Sequence, residues 1–177
     1  PFAMADMAGL DVGWRIRKGR GERNDIEDAL CEAGHFGQKT GKGYFRYDPG
    51  SRTPLPDPEV ERTIFDASAR SGIARREIAQ EEIVERMIFP MINEGARILE
   101  EGIAARPGDI DVIWVYGYGW PVWRGGPMFY ADQLGLAHIR DRLTLYAERS
   151  GDETLQPAVR IRRLAAEGRG FASAAAV

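Results

Sequence analysis

The chain has 177 residues, of which 44% are hydrophobic and 29% are charged, and this composition is ordinary for a globular protein. Its 24 basic and 27 acidic side chains nearly balance, so its charge gives no reason to expect nucleic acid or an anionic membrane as a partner. No apolar run reaches the ~20 residues that cross a bilayer, and the single cysteine, Cys31, is expected to be a small buried side chain.

The first ten residues, PFAMADMAGL, recur near the end of the chain as PMFYADQLGL. Aligning Pro1 with Pro127 places an alanine, an aspartate and a Gly-Leu pair at the same offsets. An early proline and a closing glycine are common in helices, but the ordered set of matches predicts an internal duplication. Because Pro1 opens directly into the repeat, we expect the chain to be the rear part of a larger protein.

The other predicted elements are mostly helices, identified by caps, apolar periodicity and stop signals. In chain order they cover residues 25–32, 57–65, 81–101, 107–115, 127–134, 138–148 and 156–167. Pro90 should kink the longest of them. The alternating YFRY at 44–47 predicts a short strand or extended arm, and residues 168–177 are expected to be frayed. The proline-rich stretch 51–56 predicts a linker between two domains.

Standard catalytic motifs are missing from the sequence. The pair Gly117 and Gly119 is not followed by the third glycine of a dinucleotide-binding loop, and two histidines with one cysteine do not suggest a metal cluster. His35 and His138 could in principle act as bases, but no carboxylate near either in sequence would orient it, so we assign them polar or partly packed roles. We therefore predict no catalytic, cofactor-binding or metal-binding residue in this chain.

The segment 114–128, WVYGYGWPVWRGGPM, holds three of the four tryptophans. Its glycine and proline content argues against regular structure. Aromatic rings between glycines can line an apolar groove in which a tyrosine hydroxyl holds a ligand. The alternative is an aromatic corner that packs one helix against the next, and the sequence leaves both interpretations open, for Tyr116 in particular.

Four stretches, PFAMADMAGLDVG, FGQKTGKGYFRY, PMINEGARILEEGIA and DIDVIWVYGYGWPVWRGGPMFYAD, resemble the C-terminal region of 3-hydroxyacyl-CoA dehydrogenases. The resemblance is closer to multifunctional fatty-acid β-oxidation proteins, which join an enoyl-CoA hydratase module to the dehydrogenase. It implies a mainly α fold with two helical domains similar to the C-terminal domain of 6-phosphogluconate dehydrogenase, the first one truncated. Residues 1–50 would end the first domain, and 57–177 would form the second.

The resemblance also implies an activity for the parent protein, the NAD-dependent oxidation of L-3-hydroxyacyl-CoA. NAD would bind a Rossmann domain absent from this chain, and the family's catalytic histidine and glutamate lie upstream of Pro1. The family's substrate-positioning asparagine corresponds to Glu85 here, which implies that this copy has lost that role. The V-Y-G-x-G-aromatic-P motif of the multifunctional members carries a substrate-contacting tyrosine, which matches Tyr116. The fragment alone is expected to be inactive.

The partners implied are an acyl-CoA substrate and the upstream Rossmann and hydratase domains, with a thiolase subunit and a homodimer as further candidates. In the alternative interpretation the chain is a non-catalytic helical interaction module that contacts a thiolase subunit or another domain. Because the terminal Ala-Ala-Val is not a peroxisomal address, we expect the bacterial cytoplasm as the location.

Overall fold

Helices dominate the computed structural model, which describes residues 1–174, and the predicted mainly α fold is confirmed. The helices are α1 (Phe2–Ala8), α2 (Leu10–Arg20), α3 (Asp25–Glu32), α4 (Pro58–Arg70), α5 (Gln80–Glu100), α6 (Pro107–Gly117), α7 (Pro127–Leu134), α8 (Leu136–Ser150), α9 (Val159–Ala166) and α10 (Phe171–Ala174). None of these described helices is both long and apolar enough to cross a membrane.

Side-chain caps begin two of the predicted helices as expected. The side chain of Asn24 accepts a hydrogen bond of 3.0 Å from the Glu27 N–H at the start of α3. Asp57 accepts one of 2.9 Å from the Glu59 N–H, and Pro58 occupies the first turn of α4, where its missing N–H costs no hydrogen bond. Local capping chemistry therefore sets where both helices start.

Two compact units make up the fold, Pro1–Glu77 and the chain from Ile78 onward. The core of the first unit contains the buried residues Leu10, Leu30, Cys31 and Val60, so Cys31 is the small buried side chain predicted. Helix α4 packs on α3 within this unit. The division between the units therefore lies beyond the 51–56 segment expected to be the linker.

The core of the second unit is built on one face of α5, which runs without a break through Pro90. Phe89, Ile92, Ala96 and Leu99 lie buried on this face at helical spacing, as the apolar periodicity predicts. Helices α6 to α9 supply the rest of the core, and its buried members are Ile110, Met128, Ala131, Leu136, Ile139, Leu143, Ala158, Ile161, Leu164 and Phe171.

Several expectations about elements are wrong. Helix α2 was not predicted, and α6 continues to Gly117, so Tyr116 is in a helix rather than in irregular structure. The chain from Phe171 to Ala174 is helical rather than frayed, while residues 175–177 lie outside the described part. Of the short strand or extended arm expected at 44–47, the strand is not formed, and the segment takes part in isolated bridges, Lys42 with Arg46 and Arg46 with Leu55, beside a third between Gly37 and Lys42.

The duplication is visible as the same arrangement in each unit, an aspartate that accepts hydrogen bonds from two consecutive backbone N–H groups. In the first unit the buried carboxylate of Asp6 accepts hydrogen bonds from the backbone N–H groups of Tyr44 (2.8 Å) and Phe45 (3.0 Å). In the second, Asp132 accepts them from Phe171 (2.6 Å) and Ala172 (2.9 Å). Because these amides bond to a carboxylate, Tyr44 and Phe45 do not pair as a strand.

A glycine makes room for each aspartate. A methyl group on Gly43 would lie 2.1 Å from Asp6 Oδ1, and one on Gly170 would lie 2.6 Å from Asp132 Oδ1, so neither position admits a larger residue without a shift. The two segments read Gly-Lys-Gly-Tyr-Phe (41–45) and Gly-Arg-Gly-Phe-Ala (168–172). The repeat therefore extends well beyond the ten residues that first indicate it.

Candidate functional site

Tyr116, the predicted substrate-contacting residue, lies in the last turn of α6 with 83% of its surface exposed. Its hydroxyl has no hydrogen-bond partner within residues 1–174, and Tyr118 beside it is also exposed. A free tyrosine hydroxyl at the end of a helix can donate a hydrogen bond to a ligand or accept one from it. The geometry is compatible with substrate contact, and the assignment stays a prediction.

Two of the three tryptophans of the same segment, Trp114 and Trp120, form an aromatic corner. The ring centroids of Trp114 and Trp120 lie 6.3 Å apart, and those of Trp120 and Tyr130 lie 6.0 Å apart, both at steep angles. These contacts pack α6 and the following loop against α7, which is the structural alternative left open for these residues. Trp123 differs, since 76% of its surface is exposed.

Glu85 is the centre of a polar cluster in the second unit that sequence reasoning missed. Its carboxylate accepts hydrogen bonds from Arg142 Nε (2.6 Å) and from the Tyr146 hydroxyl, and it lies 3.2 Å from His138 Nε2. His138 therefore has an orienting carboxylate, contrary to expectation, but one that lies 53 positions away in sequence. His138, Arg142 and Tyr146 recur every four residues along one face of α8, a local signal, yet nothing local identifies Glu85 as their partner.

The electrostatics keep Glu85 ionised at neutral pH. Its side chain is 15% exposed, and this burial disfavours the charge, but the hydrogen bonds from Tyr146 and Arg142 outweigh it and lower the pKa of Glu85 below its ordinary value. Burial and the neighbouring Glu85 carboxylate raise the pKa of Tyr146. The cluster is thus a carboxylate that holds a guanidinium, a phenol and an imidazole in fixed positions.

An open cleft of about 440 Å³ lies beside this cluster. Apolar, charged and polar side chains of α5, α7, α8 and the loop before α7 line it, namely Gln80, Glu81, Val84, Glu85, Phe89, Arg124, Tyr130, Leu134 and His138. The His138 ring stands perpendicular to that of Phe89, with the centroids 5.8 Å apart. The volume of the cleft falls within the range of about 300–1,000 Å³ that is common for small-molecule sites.

The described residues do not fit NAD. They contain isolated bridges but no β-strand, and so they lack the strand, glycine-rich turn and helix that hold a dinucleotide. His35, the other histidine considered as a base, has its Nδ1 buried without a partner in the described structure.

Comparison with known proteins identifies the family. The family described as "3-hydroxyacyl-CoA dehydrogenase, C-terminal domain" matches residues 1–47 and 83–174. The peroxisomal bifunctional enzymes of Homo sapiens and Cavia porcellus are 44% and 43% identical to this chain; each match covers 95% of the chain and 26% of the relative. The crystal structure of the dehydrogenase part of multifunctional enzyme 1 from C. elegans matches with a TM-score of 0.69 at 30% identity, covering 92% of this chain and 38% of that one.

These relatives correct one expectation. The expected location was the bacterial cytoplasm. The curated relatives are peroxisomal enzymes of animals, so that expectation is wrong. The chain spans about a quarter of the length of these relatives. The family match covers most of the chain and agrees with the resemblance of the four sequence stretches. The chain belongs to the 3-hydroxyacyl-CoA dehydrogenase C-terminal domain family.

Proposed function

We propose that this chain is the helical C-terminal part of an NAD-dependent L-3-hydroxyacyl-CoA dehydrogenase of fatty-acid β-oxidation, within a multifunctional enzyme that also carries a hydratase. Its contribution is to close the acyl-CoA site and to support domain packing or dimerisation. The observation that carries the proposal is Tyr116, exposed at the end of α6 with its hydroxyl unpartnered within the described residues. NAD, when bound by an upstream Rossmann domain, supplies the hydride acceptor.

We further propose that the chain holds two copies of one helical domain, with the end of the first copy in residues 1–50 and the second copy in residues 57–177. The paired Asp6 and Asp132 arrangements support this, as does the family match in two blocks, 1–47 and 83–174. The first copy ends near residue 50, and α4 packs with it. The second copy follows, and Glu85 takes the place of the family's substrate-positioning asparagine there, so the second copy supports the fold rather than the chemistry.

Replacing Tyr116 with phenylalanine in the full-length enzyme should lower kcat/KM for a 3-hydroxyacyl-CoA by about three- to tenfold, the effect of losing one neutral hydrogen bond. Steady-state kinetics measures this. The matched control is Tyr118→Phe, which removes the hydroxyl of an exposed neighbouring tyrosine and should leave kcat/KM unchanged. An unchanged value in the Tyr116 variant would count against the assignment.

The 177-residue chain alone should show no NAD-dependent oxidation of 3-hydroxyacyl-CoA. The reason is that its described residues neither fit NAD nor supply the family's catalytic histidine and glutamate. A spectrophotometric assay of NADH formation checks this, with the full-length enzyme as the positive control. Measurable turnover by the purified chain would refute the proposal that the catalytic and NAD-binding residues lie in other parts of the enzyme.

A second candidate function, a helical interaction module, is favoured by exposed apolar side chains around the same segment. These are Val112, Ile113, Tyr116, Tyr118, Val122, Trp123 and Phe129. Such a surface suits contact with another domain, a thiolase subunit or a second copy. Titrating acyl-CoA into the full-length protein separates the functions, because Trp123→Ala should weaken acyl-CoA binding if the surface lines the substrate site. If it is a partner surface, the same change should alter only the oligomeric state.

A further inference from the structure

Arg124 is a cation held in place by aromatic rings instead of by an acid. Its guanidinium carbon lies 4.3 Å from the ring centroid of Trp123 and 5.4 Å from that of Tyr130. Within residues 1–174 this guanidinium forms no ion pair and no hydrogen bond, and the hydrogen bond that Arg124 does make is from its backbone N–H to the Pro121 carbonyl (2.8 Å). Stacking on rings fixes the plane of a guanidinium and leaves its N–H groups at the edge free to donate. The guanidinium of Arg124, an exposed residue, is therefore available to an anion that the described residues do not supply.

The cleft that Arg124 lines has one apolar part and one polar part. Val84, Phe89 and Leu134 supply the apolar lining, and His138 adds a ring nitrogen beside Phe89. Glu85 also lines the cleft, but Arg142 neutralises its charge. An apolar wall next to an unneutralised guanidinium suits a ligand with an apolar chain and an anionic head.

Glu81 is the acidic lining residue without a counter-ion among the described side chains. The negative charge of Glu81 repels an anion bound in the cleft, and the repulsion is strongest for an anion bound close to Glu81. The head group should therefore bind at Arg124. This makes the two charges opposite in effect, since removing Arg124 should weaken the binding of an anion and removing the charge of Glu81 should strengthen it.

We propose that this cleft of the second unit binds an amphiphilic anion, with its carboxylate or phosphate at Arg124 and its apolar chain along Val84, Phe89 and Leu134. The site is separate from the proposed role of Tyr116 and needs no hydride transfer.

Calorimetric titration of the 177-residue chain with octanoate, octyl phosphate and octanol tests the site. The variant Arg124→Gln removes the charge but keeps a planar side chain, and it should weaken anion binding by about tenfold, the effect of one charge-assisted hydrogen bond. Arg124→Lys should recover part of the loss, and Glu81→Gln should tighten anion binding. The matched control is Arg163→Ala, an exposed arginine on α9 outside the cleft, which should leave binding unchanged.

The three ligands distinguish the sources of the anion. If Arg124→Gln weakens the binding of octanoate tenfold, the head group is a carboxylate, and if it weakens only the binding of octyl phosphate, the head group is a phosphate; either result supports the proposal. The affinity for octanol, which carries no charge, should be the same for the unaltered chain and for every variant. The proposal is overturned if neither anion binds, if Arg124→Gln binds them as tightly as the unaltered chain, or if octanol shows the same loss. Circular dichroism of each variant verifies that the fold is retained, and Arg124→Lys supplies the comparison if Arg124→Gln is unfolded.

Discussion

Replacing Asp6 with alanine should lower the free energy of unfolding of the first unit by about 3–5 kcal/mol, because three donors lose their acceptor in a dry interior. Asp6 is 1% exposed, and besides the two backbone amides its Oδ2 accepts a hydrogen bond of 2.9 Å from the Tyr47 hydroxyl. A loss of this size is a large part of the ~5–15 kcal/mol that stabilises a typical domain. Urea unfolding of the purified chain measures it.

Two matched variants separate the contributions of the Asp6 donors. Tyr47→Phe removes only the phenol hydrogen bond and should cost about 1 kcal/mol. Asp132→Ala removes the corresponding acceptor of the second unit, which is half-buried and holds two amides, and should cost about 2–3 kcal/mol. Hydrogen exchange should accelerate at the Tyr44 and Phe45 amides in Asp6→Ala and stay slow there in Asp132→Ala. Equal losses for Asp6→Ala and Tyr47→Phe would show that the amides find another acceptor.

Local chemistry made most of the helices predictable. Asn24 and Asp57 are capping residues next to the donors they accept from, and the apolar spacing in α5 reports a buried face without reference to other elements. Pro107 and Pro127 stand in the first turns of α6 and α7, where their lack of an N–H costs no hydrogen bond. In each case the cause and the effect lie within a few residues.

Long-range contacts explain what the sequence did not reveal. The 44–47 arm does not become a strand because its amides bond to Asp6, 38 and 39 positions away. His138 acquires Glu85 only through the packing of α8 on α5. Tyr116 was expected in irregular structure because glycines surround it, yet the apolar run before it carries α6 on to Gly117. The candidate site therefore depends on tertiary structure more than the helices do.

Replacing Glu85 with glutamine should lower the free energy of unfolding of the second unit by about 2–3 kcal/mol at pH 7, since a largely buried ion pair loses one partner while a polar side chain of the same size remains. Arg142 and Tyr146 would keep a carbonyl acceptor but lose the charge that holds them. Urea unfolding measures the loss. Glu81→Gln is the control, because Glu81 is exposed on the same helix and its change should stay within about 0.5 kcal/mol.

The pH dependence of this loss tests whether the Glu85 charge is its cause. The folded-state pKa of Glu85 lies below its ordinary value of 4.5, so the stabilisation is fully present above pH 4.5 and is lost as the pH falls through the lowered value. The difference between the unaltered chain and Glu85→Gln should therefore shrink as the pH falls below 4.5. Other carboxylates titrate in both proteins and cancel from the difference. If the difference stays the same in acid, the stabilising contribution of Glu85 comes from packing, and the charged cluster on α8 does not depend on its ionisation.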